Sequence, residues 1–264
     1  SPRSNIGLSG AVVDDAYAPR TGFVSRPDVI MTSPYANVTF QPSWRPAGLV
    51  WIRPELFTLF FHDPSSRTLQ EARIVANTEL LTVAGGSLTP FVERSLQRPV
   101  ANVALLPGVT IAPGTHDYWR YGMEIKSDPS AKFAGSANVS GGGFFDGTQA
   151  RAAVSGRWSP NPYLSMRANY EVNRLRSLGT ADTALVTHLV GPELRASLNP
   201  RVQWSAFFQY NTVQRRSALN ARFSWEFAPL SFVYVVYNDG QPILGSALPG
   251  ARSLIVKLSW LKQL

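Results

Sequence analysis

Charged side chains recur at every second position along several segments, and this spacing suits them to attracting and sorting ions. The segment 163–173 shows the pattern most clearly. Its polar positions are Ser165, Arg167, Asn169, Glu171 and Asn173, and they alternate with Leu164, Met166, Ala168, Tyr170 and Val172. A wall of such charges favours ions of one sign over the other. We therefore expect the chemistry to be charge selection rather than bond making.

The chain offers little for catalysis. His62, His116 and His188 are its only histidines, and each fits a loop or surface position better than a base or a ligand. Cysteine is absent, and no nucleophile elbow, zinc helix or paired-carboxylate motif occurs. The glycines at 141–143 lie inside a strand pattern and precede no helix, which argues against a phosphate loop. We expect no enzyme activity and no cofactor or metal.

The two-residue period predicts strands, because successive side chains of a strand point to opposite faces. Fourteen segments carry it. They are 5–13, 35–41, 48–61, 68–84, 87–97, 118–128, 131–145, 148–158, 163–173, 184–198, 202–211, 217–227, 230–238 and 253–261. The facing of 230–238 stays open, because that segment is almost continuously apolar.

The lengths of these segments suit strands that cross a bilayer. The sequence predicts an all-β fold, an antiparallel up-and-down transmembrane β-barrel of about 14 strands in one domain over residues 1–264. No run of eighteen apolar residues exists, so a transmembrane helix is excluded, and a mean hydropathy of -0.06 suits a barrel. A soluble β-sandwich or propeller is the main alternative.

Aromatic placement favours the barrel, since several rings on the apolar columns fall near predicted strand ends, where a membrane interface would hold them. Ten side chains are predicted to face lipid: Trp119, Tyr121, Met123, Leu164, Met166, Val172, Phe223, Trp225, Leu254 and Leu258.

The opposite columns are predicted to line the lumen. The candidate lumen residues are Arg120, Glu124, Lys126, Arg151, Arg157, Arg167, Glu171, Glu193, Arg195, Arg222, Glu226 and Lys257, and Arg73, Lys132, Glu71 and Glu79 share their pattern. Most of these charges fit cross-strand ion pairs that fill a polar interior. The census of ten basic and six acidic positions leaves a basic excess that favours anions.

Connection lengths predict the orientation. Counted back from the C-terminus, alternate connections are short turns, at 228–229, 199–201, 160–162, 128–130 and 85–86. The other series holds the long ones, at 240–251, 174–181, 98–116 and 16–33. Outer-membrane barrels have short periplasmic turns, so we expect both termini in the periplasm and the chain in a bacterial outer membrane.

The formal net charge of +8 does not indicate nucleic-acid binding, because the basic residues are spread among acidic ones and no nucleic-acid motif occurs. We expect the lipid bilayer as the main partner, with envelope proteins as further candidates.

Four strings in the C-terminal half are more specific than a generic barrel: residues 209–211, 220–226, 235–239 and 252–258. With 143–147 and 22–26, they resemble a family of uncharacterised bacterial envelope proteins. In that family a sugar-binding-like β-sandwich precedes a C-terminal outer-membrane barrel of unknown function. The resemblance implies a membrane barrel here.

The chain departs from that family in three ways. The sugar-binding-like domain is absent, so carbohydrate recognition is not carried over to any residue. Family barrels look longer, and the first residue is Ser1, so the chain is either mature after processing or a piece of a longer protein. The last residue is Leu264 rather than the usual aromatic.

The sequence thus predicts a passive, porin-like channel for small polar or anionic solutes. The alternative is a barrel that does not conduct and serves as a membrane anchor or scaffold in a larger envelope complex.

Overall fold

The computed structural model describes residues 3–16, 27–41, 43–46, 48–242 and 250–261. Regular structure in these ranges is entirely strand. The strands are β1 (Arg3–Val13), β2 (Val29–Thr39), β3 (Leu49–His62), β4 (Leu69–Thr82), β5 (Ser87–Gln97), β6 (Val103–Leu106), β7 (Val109–Ile111), β8 (His116–Lys126), β9 (Phe133–Phe144), β10 (Gly147–Asn161), β11 (Leu164–Leu178), β12 (Thr183–Asn199), β13 (Val202–Asn211), β14 (Arg216–Ala228), β15 (Ser231–Pro242) and β16 (Ala251–Ser259). The described ranges contain no helix long and apolar enough to cross a membrane.

Fourteen of the strands form one antiparallel sheet in chain order, while β6 and β7 form a separate hairpin between β5 and β8. This order is up-and-down, as the sequence predicted, and the strand count agrees with the fourteen alternating segments. Consecutive strands run in opposite directions, so the connections alternate between two ends of the sheet. We call these ends the terminal side, where β1 begins and β16 ends, and the distal side.

The connections on the terminal side include the predicted short turns, at 83–86, 127–132, 162–163, 200–201 and 229–230. The predicted long loop at 174–181 is wrong, because β11 continues to Leu178 and leaves only residues 179–182 as the turn. The alternation fails there because Arg174 falls on the apolar column and Leu175, which is 3% exposed, falls on the polar one. Most residues of the predicted loops at 16–33 and 240–251 lie outside the described residues.

The chain forms two compact units. Unit 1 contains residues 1–125, 138–150 and 174–185, and unit 2 contains residues 126–137, 151–173 and 186–264. Each unit includes part of the sheet, and each is described separately below.

The strand register in unit 2 separates polar from apolar side chains. Arg195, Ser205 and Arg222 lie side by side on β12, β13 and β14, and Ala196, Trp204 and Phe223 form the next row on the opposite face. We call the face that carries Arg222 the polar face and the other the apolar face. The register also settles the open facing of β15, because Asn220 pairs with Asn238 and so places Phe232, Tyr234 and Val236 on the polar face.

Unit 1 contains the only cluster of fully buried apolar side chains in the described part of the chain. Val109, Ile111, Leu175 and Leu178 are each at most 3% exposed, and Phe144, Phe145, Leu105, Leu106 and Leu185 pack around them. The hairpin β6–β7 supplies two of these side chains, and the distal end of β11 supplies the other two. The sequence missed this hairpin and predicted residues 98–116 as a loop.

Two backbone features let the hairpin approach the distal end of β11. The amide of Thr180 donates a 2.9 Å hydrogen bond to the carbonyl of Thr110. Gly179 has a φ of 73°, and a Cβ atom there would lie 2.6 Å from the same carbonyl oxygen. Only glycine fits this position, because any side chain would collide with backbone.

Candidate functional site: the polar face of the sheet

In unit 1, a buried carboxylate on β5 is shared by two arginines of the neighbouring strands. Glu93 on β5 is 2% exposed. Arg73 on β4 donates to Glu93 Oε2 from Nε and Nη2 at 2.9 and 2.8 Å, and Arg120 on β8 donates from Nη2 to Oε1 at 2.5 Å. Ser95 Oγ adds a 3.0 Å bond to Oε1. Charge-assisted bonds of this kind compensate for the loss of water around a buried carboxylate.

This Glu93 cluster was only partly predicted. Arg73 and Arg120 were assigned to the lumen column, but Glu93 was overlooked although Glu93 and Ser95 keep the alternation of their strand. Arg120 also donates to Gln149 Oε1 at 3.1 Å, while its Nε is buried and has no hydrogen-bond partner in the described ranges. The space around Glu93 is therefore filled by the side chains that bind it.

In unit 2 a second carboxylate, Glu193 on β12, also contacts two arginines. Arg195 Nε donates to Glu193 Oε1 at 2.5 Å, and Arg167 Nη1 lies 4.0 Å from Oε2. Both arginine side chains are more than half exposed. Exposed ion pairs contribute little to stability, because water screens them. The three side chains carry a net charge of +1 at neutral pH, which leaves this patch cationic.

Two further predicted lumen positions form a cross-strand pair in unit 2. Arg151 on β10 lies 2.7 Å from Glu171 on β11, and Asn173 donates to the same carboxylate at 2.9 Å. Arg157 instead donates to the carbonyls of Pro129 and Ala131 and thus holds the turn at 127–132. The predicted cross-strand ion pairing is therefore confirmed for Arg151 and Glu171, whereas Arg157 bonds to backbone instead.

A polar cavity of about 660 Å³ lies in unit 2 over β11 to β14. Arg222 is on its lining, and its guanidinium lies 4.7 Å from the centre of the Tyr234 ring. The other polar side chains of the lining are Ser165, Glu193, Arg195, Ser197, Gln203, Ser205, Asn220 and Ser224. We call this space the Arg222 cavity. Its lining contains two arginines and one carboxylate, and these charges sum to +1.

The remaining predicted lumen residues occupy the ends of strands. Glu124 and Lys126 are near the terminal end of β8, at the same alternate positions as Arg120. Glu226 accepts a 3.0 Å hydrogen bond from the amide of Leu230 at the terminal turn between β14 and β15. Lys257 on β16 lies opposite Tyr234 on β15. None of these four belongs to the Glu93 or Glu193 clusters.

The apolar face of unit 2 carries a row of aromatic side chains close to the terminal side. Its members, all at least 37% exposed, are Phe133, Trp158, Trp204, Trp225, Phe227 and Trp260. Trp204 packs on Phe223, with ring centroids 5.5 Å apart. Of the ten side chains predicted to face lipid, six are exposed and none is buried, so none lies in a packed interior. Exposed apolar patches of this kind mark surfaces that contact a protein or a membrane.

Two of the three histidines and the glycine run make structural contacts in the described residues. His116 bonds to the carbonyl of Ala112 at 3.0 Å, and His188 stacks on Tyr170 and bonds to its hydroxyl at 2.8 Å. Gly142 has a φ of 144°, and a Cβ there would lie 2.2 Å from the carbonyl oxygen of Trp119. This glycine lets β9 approach β8 closely, as the strand interpretation of 141–143 predicted.

No protein-family model matches this chain, and no curated protein matches it significantly in sequence. The resemblance to an envelope-protein family therefore stays a prediction.

Proposed function

We propose that this chain is a bacterial outer-membrane β-barrel that passes small polar or anionic solutes by diffusion. The observation that carries the proposal is the register of unit 2, which places Arg195 and Arg222 on one face and Trp204 and Phe223 on the other. In a membrane barrel the apolar face contacts lipid and the polar face lines the lumen. A soluble sandwich would instead bury the apolar face, and here that face is exposed.

The length of the apolar columns supports a membrane. On β14 the apolar face carries Phe227, Trp225, Phe223, Ala221 and Leu219. The eight residue steps from Phe227 to Leu219 span about 27 Å at ~3.4 Å per residue. A tilt of ~40° reduces this span to roughly 21 Å, close to the ~25 Å apolar band of outer-membrane barrels. The aromatic row at the terminal side is placed as an interfacial girdle would be.

The edge strands add a requirement. On β1, Ile6 and Leu8 are 81% and 74% exposed, and on β16, Leu254 and Leu258 are both 67% exposed. Free backbone donors and acceptors at the edge of a sheet are costly in lipid. A membrane location therefore requires each edge strand to find a partner strand. Closure of the up-and-down sheet into a barrel meets that requirement.

The direction of selectivity follows from the charges of the polar face. The Glu193 cluster carries a net charge of +1, and Arg222 adds another positive charge on the same face. Charges along a narrow polar path with low-dielectric walls act more strongly than in bulk water. We infer that anions enter more readily than cations of similar size.

The second candidate function is a membrane anchor or scaffold that does not conduct. The Glu93 cluster favours it, because Glu93 is 2% exposed and Arg73, Arg120 and Ser95 fill the space around it. A polar face filled by paired side chains leaves less room for solutes. In this alternative, envelope proteins are the partners.

A conductance measurement separates the two candidates. The full chain is purified in detergent, its heat-dependent gel mobility is used to verify folding, and it is reconstituted into planar bilayers. Stepwise conductance that heat-denatured protein lacks supports the channel. Folded, bilayer-inserted protein that gives no steps excludes the channel and favours the scaffold. Failure to insert into lipid at all refutes the membrane assignment.

A further inference from the structure

Arg222 differs from Arg151, Arg157, Arg167 and Arg195, the other arginines of β10 to β14 that were predicted to line the lumen. Arg151, Arg167 and Arg195 have carboxylate partners, and Arg157 is held by backbone carbonyls. In the described part of the chain, Arg222 has neither an ion pair nor a hydrogen bond to any oxygen. Its guanidinium carbon instead lies over the ring of Tyr234, 4.7 Å from the ring centroid. Its five N–H donors are therefore available to a ligand.

The contact with Tyr234 prepares Arg222 for an anion. A guanidinium held over an aromatic ring loses some of its side-chain freedom, and its donors lie in a plane that the ring does not block. Phe232 stacks on Tyr234, with centroids 5.5 Å apart and planes 12° apart, and thus fixes the ring in turn. Less ordering entropy is then lost when a ligand binds.

The surroundings supply a second cation and neutral polar groups. Ser205 lies between Arg195 and Arg222 in the strand register, so the two arginines are two strands apart, roughly 10 Å between backbones at ~4.8 Å per strand. The hydroxyls of Ser205 and Ser224 have no partner in the described residues, and both line the Arg222 cavity. The one carboxylate of the lining, Glu193, is engaged by Arg195.

We propose that the Arg222 cavity is a binding site for a small hydroxylated oxyanion, a carboxylate or phosphate carried on a polar body. Arg222 forms paired hydrogen bonds to the oxyanion, which is the geometry that a planar guanidinium matches best. Ser205, Ser224 and Asn220 hydrogen-bond the hydroxyl groups, and the net charge of +1 on Arg167, Arg195 and Glu193 adds long-range attraction. A cavity of about 660 Å³ holds a molecule of this size with water around it.

This inference refines the proposed function by giving the solute path a binding step, yet its test does not need a conducting pore. Folded full-length protein in detergent is titrated calorimetrically with gluconate, inorganic phosphate and uncharged glucose. We expect saturable binding of gluconate, of phosphate or of both, and none of glucose. The anion that binds with the higher affinity shows whether the site prefers a carboxylate or a phosphate.

Three variants make the test specific. Arg222→Gln should weaken binding at least tenfold, and Arg222→Lys should retain part of it, because the charge stays but the planar donors are lost. Arg201→Gln is the matched control, since it removes the same charge from the turn at 200–201, outside the lining. Circular dichroism verifies that each variant is folded.

Two results would overturn the proposal. One is folded wild-type protein that binds neither anion, and the other is an equal loss of affinity in Arg201→Gln. Anion binding by a protein that does not conduct would support the binding site and exclude the channel. Conductance by a protein that binds neither anion would support the channel and exclude the binding site.

Discussion

The amide of Thr180 donates a 2.9 Å hydrogen bond to the carbonyl of Thr110, and this bond joins the hairpin β6–β7 to the turn after β11. Ile111 and Leu178, one residue after Thr110 and two before Thr180, are both fully buried. The connection from β5 to β8 is thus a packed element on the distal side. On the channel proposal, it is a fixed part of the outer mouth.

Leu178→Ala should loosen this hairpin. Removing a fully buried leucine side chain costs about 2–5 kcal/mol, because apolar contacts are lost and a cavity remains. We expect faster proteolysis after Arg98 and a lower unfolding temperature in detergent. Leu198→Ala is the control, since Leu198 is 70% exposed. Equal stability and equal cleavage in the two variants would show that the hairpin does not depend on this packing.

Glu93→Gln tests the second buried feature of unit 1. The substitution leaves Arg73 and Arg120 without a carboxylate, and breaking a buried ion pair costs about 3 kcal/mol or more. The unfolding temperature should fall. Glu226→Gln should change it little, because Glu226 accepts a backbone hydrogen bond that an amide oxygen also accepts. A similar small effect in both variants would mean that Glu93 is effectively solvated.

The sequence predicted the sheet well because alternation is a local signal. The bounds of β5 and β13, 87–97 and 202–211, agree residue for residue with the structure. The facing of β15 was open, because its apolar residues are almost continuous. Pairing of Asn220 with Asn238 decides it. Such pairing is a property of two strands and cannot be read from one of them.

The candidate site was predicted only in part for a similar reason. The lumen column gave Arg195 and Arg222, but the sequence does not show that Glu193 pairs with Arg195 while Arg222 lies over Tyr234. The hairpin β6–β7 was missed because its strands have only four and three residues. Strands that short carry too few alternations to be recognised.

Met166→Arg tests whether the apolar face meets lipid. Met166 is 43% exposed on that face, and an arginine near the bilayer midplane of a barrel costs roughly 2–4 kcal/mol. Folding into lipid vesicles should become less favourable by that amount. Ser165→Arg, on the polar face, should be tolerated. A fully stable Met166→Arg protein in bilayers would contradict the lipid-facing assignment.

Protease accessibility tests the orientation. If the termini are periplasmic, the distal side faces outward, and protease added to intact cells can reach residues 98–116 or 240–251. Val100, which is 92% exposed, is an accessible position in the first segment. A variant with an inserted protease site at 162–163, on the terminal side, serves as the comparison. Cleavage confined to that site would reverse the orientation.

A measurement of charge selectivity tests whether three arginines line the solute path. Arg167, Arg195 and Arg222 lie on the polar face of unit 2, and among the described residues Glu193 is the one carboxylate that contacts any of them. If the protein conducts, the reversal potential in a KCl gradient should show anion preference. Replacing the three arginines with glutamine should reduce or reverse it, because Glu193 then dominates the local charge. Replacing Arg201 in the same way should leave it nearly unchanged. Cation preference in the intact protein would refute the assignment of these arginines to the solute path.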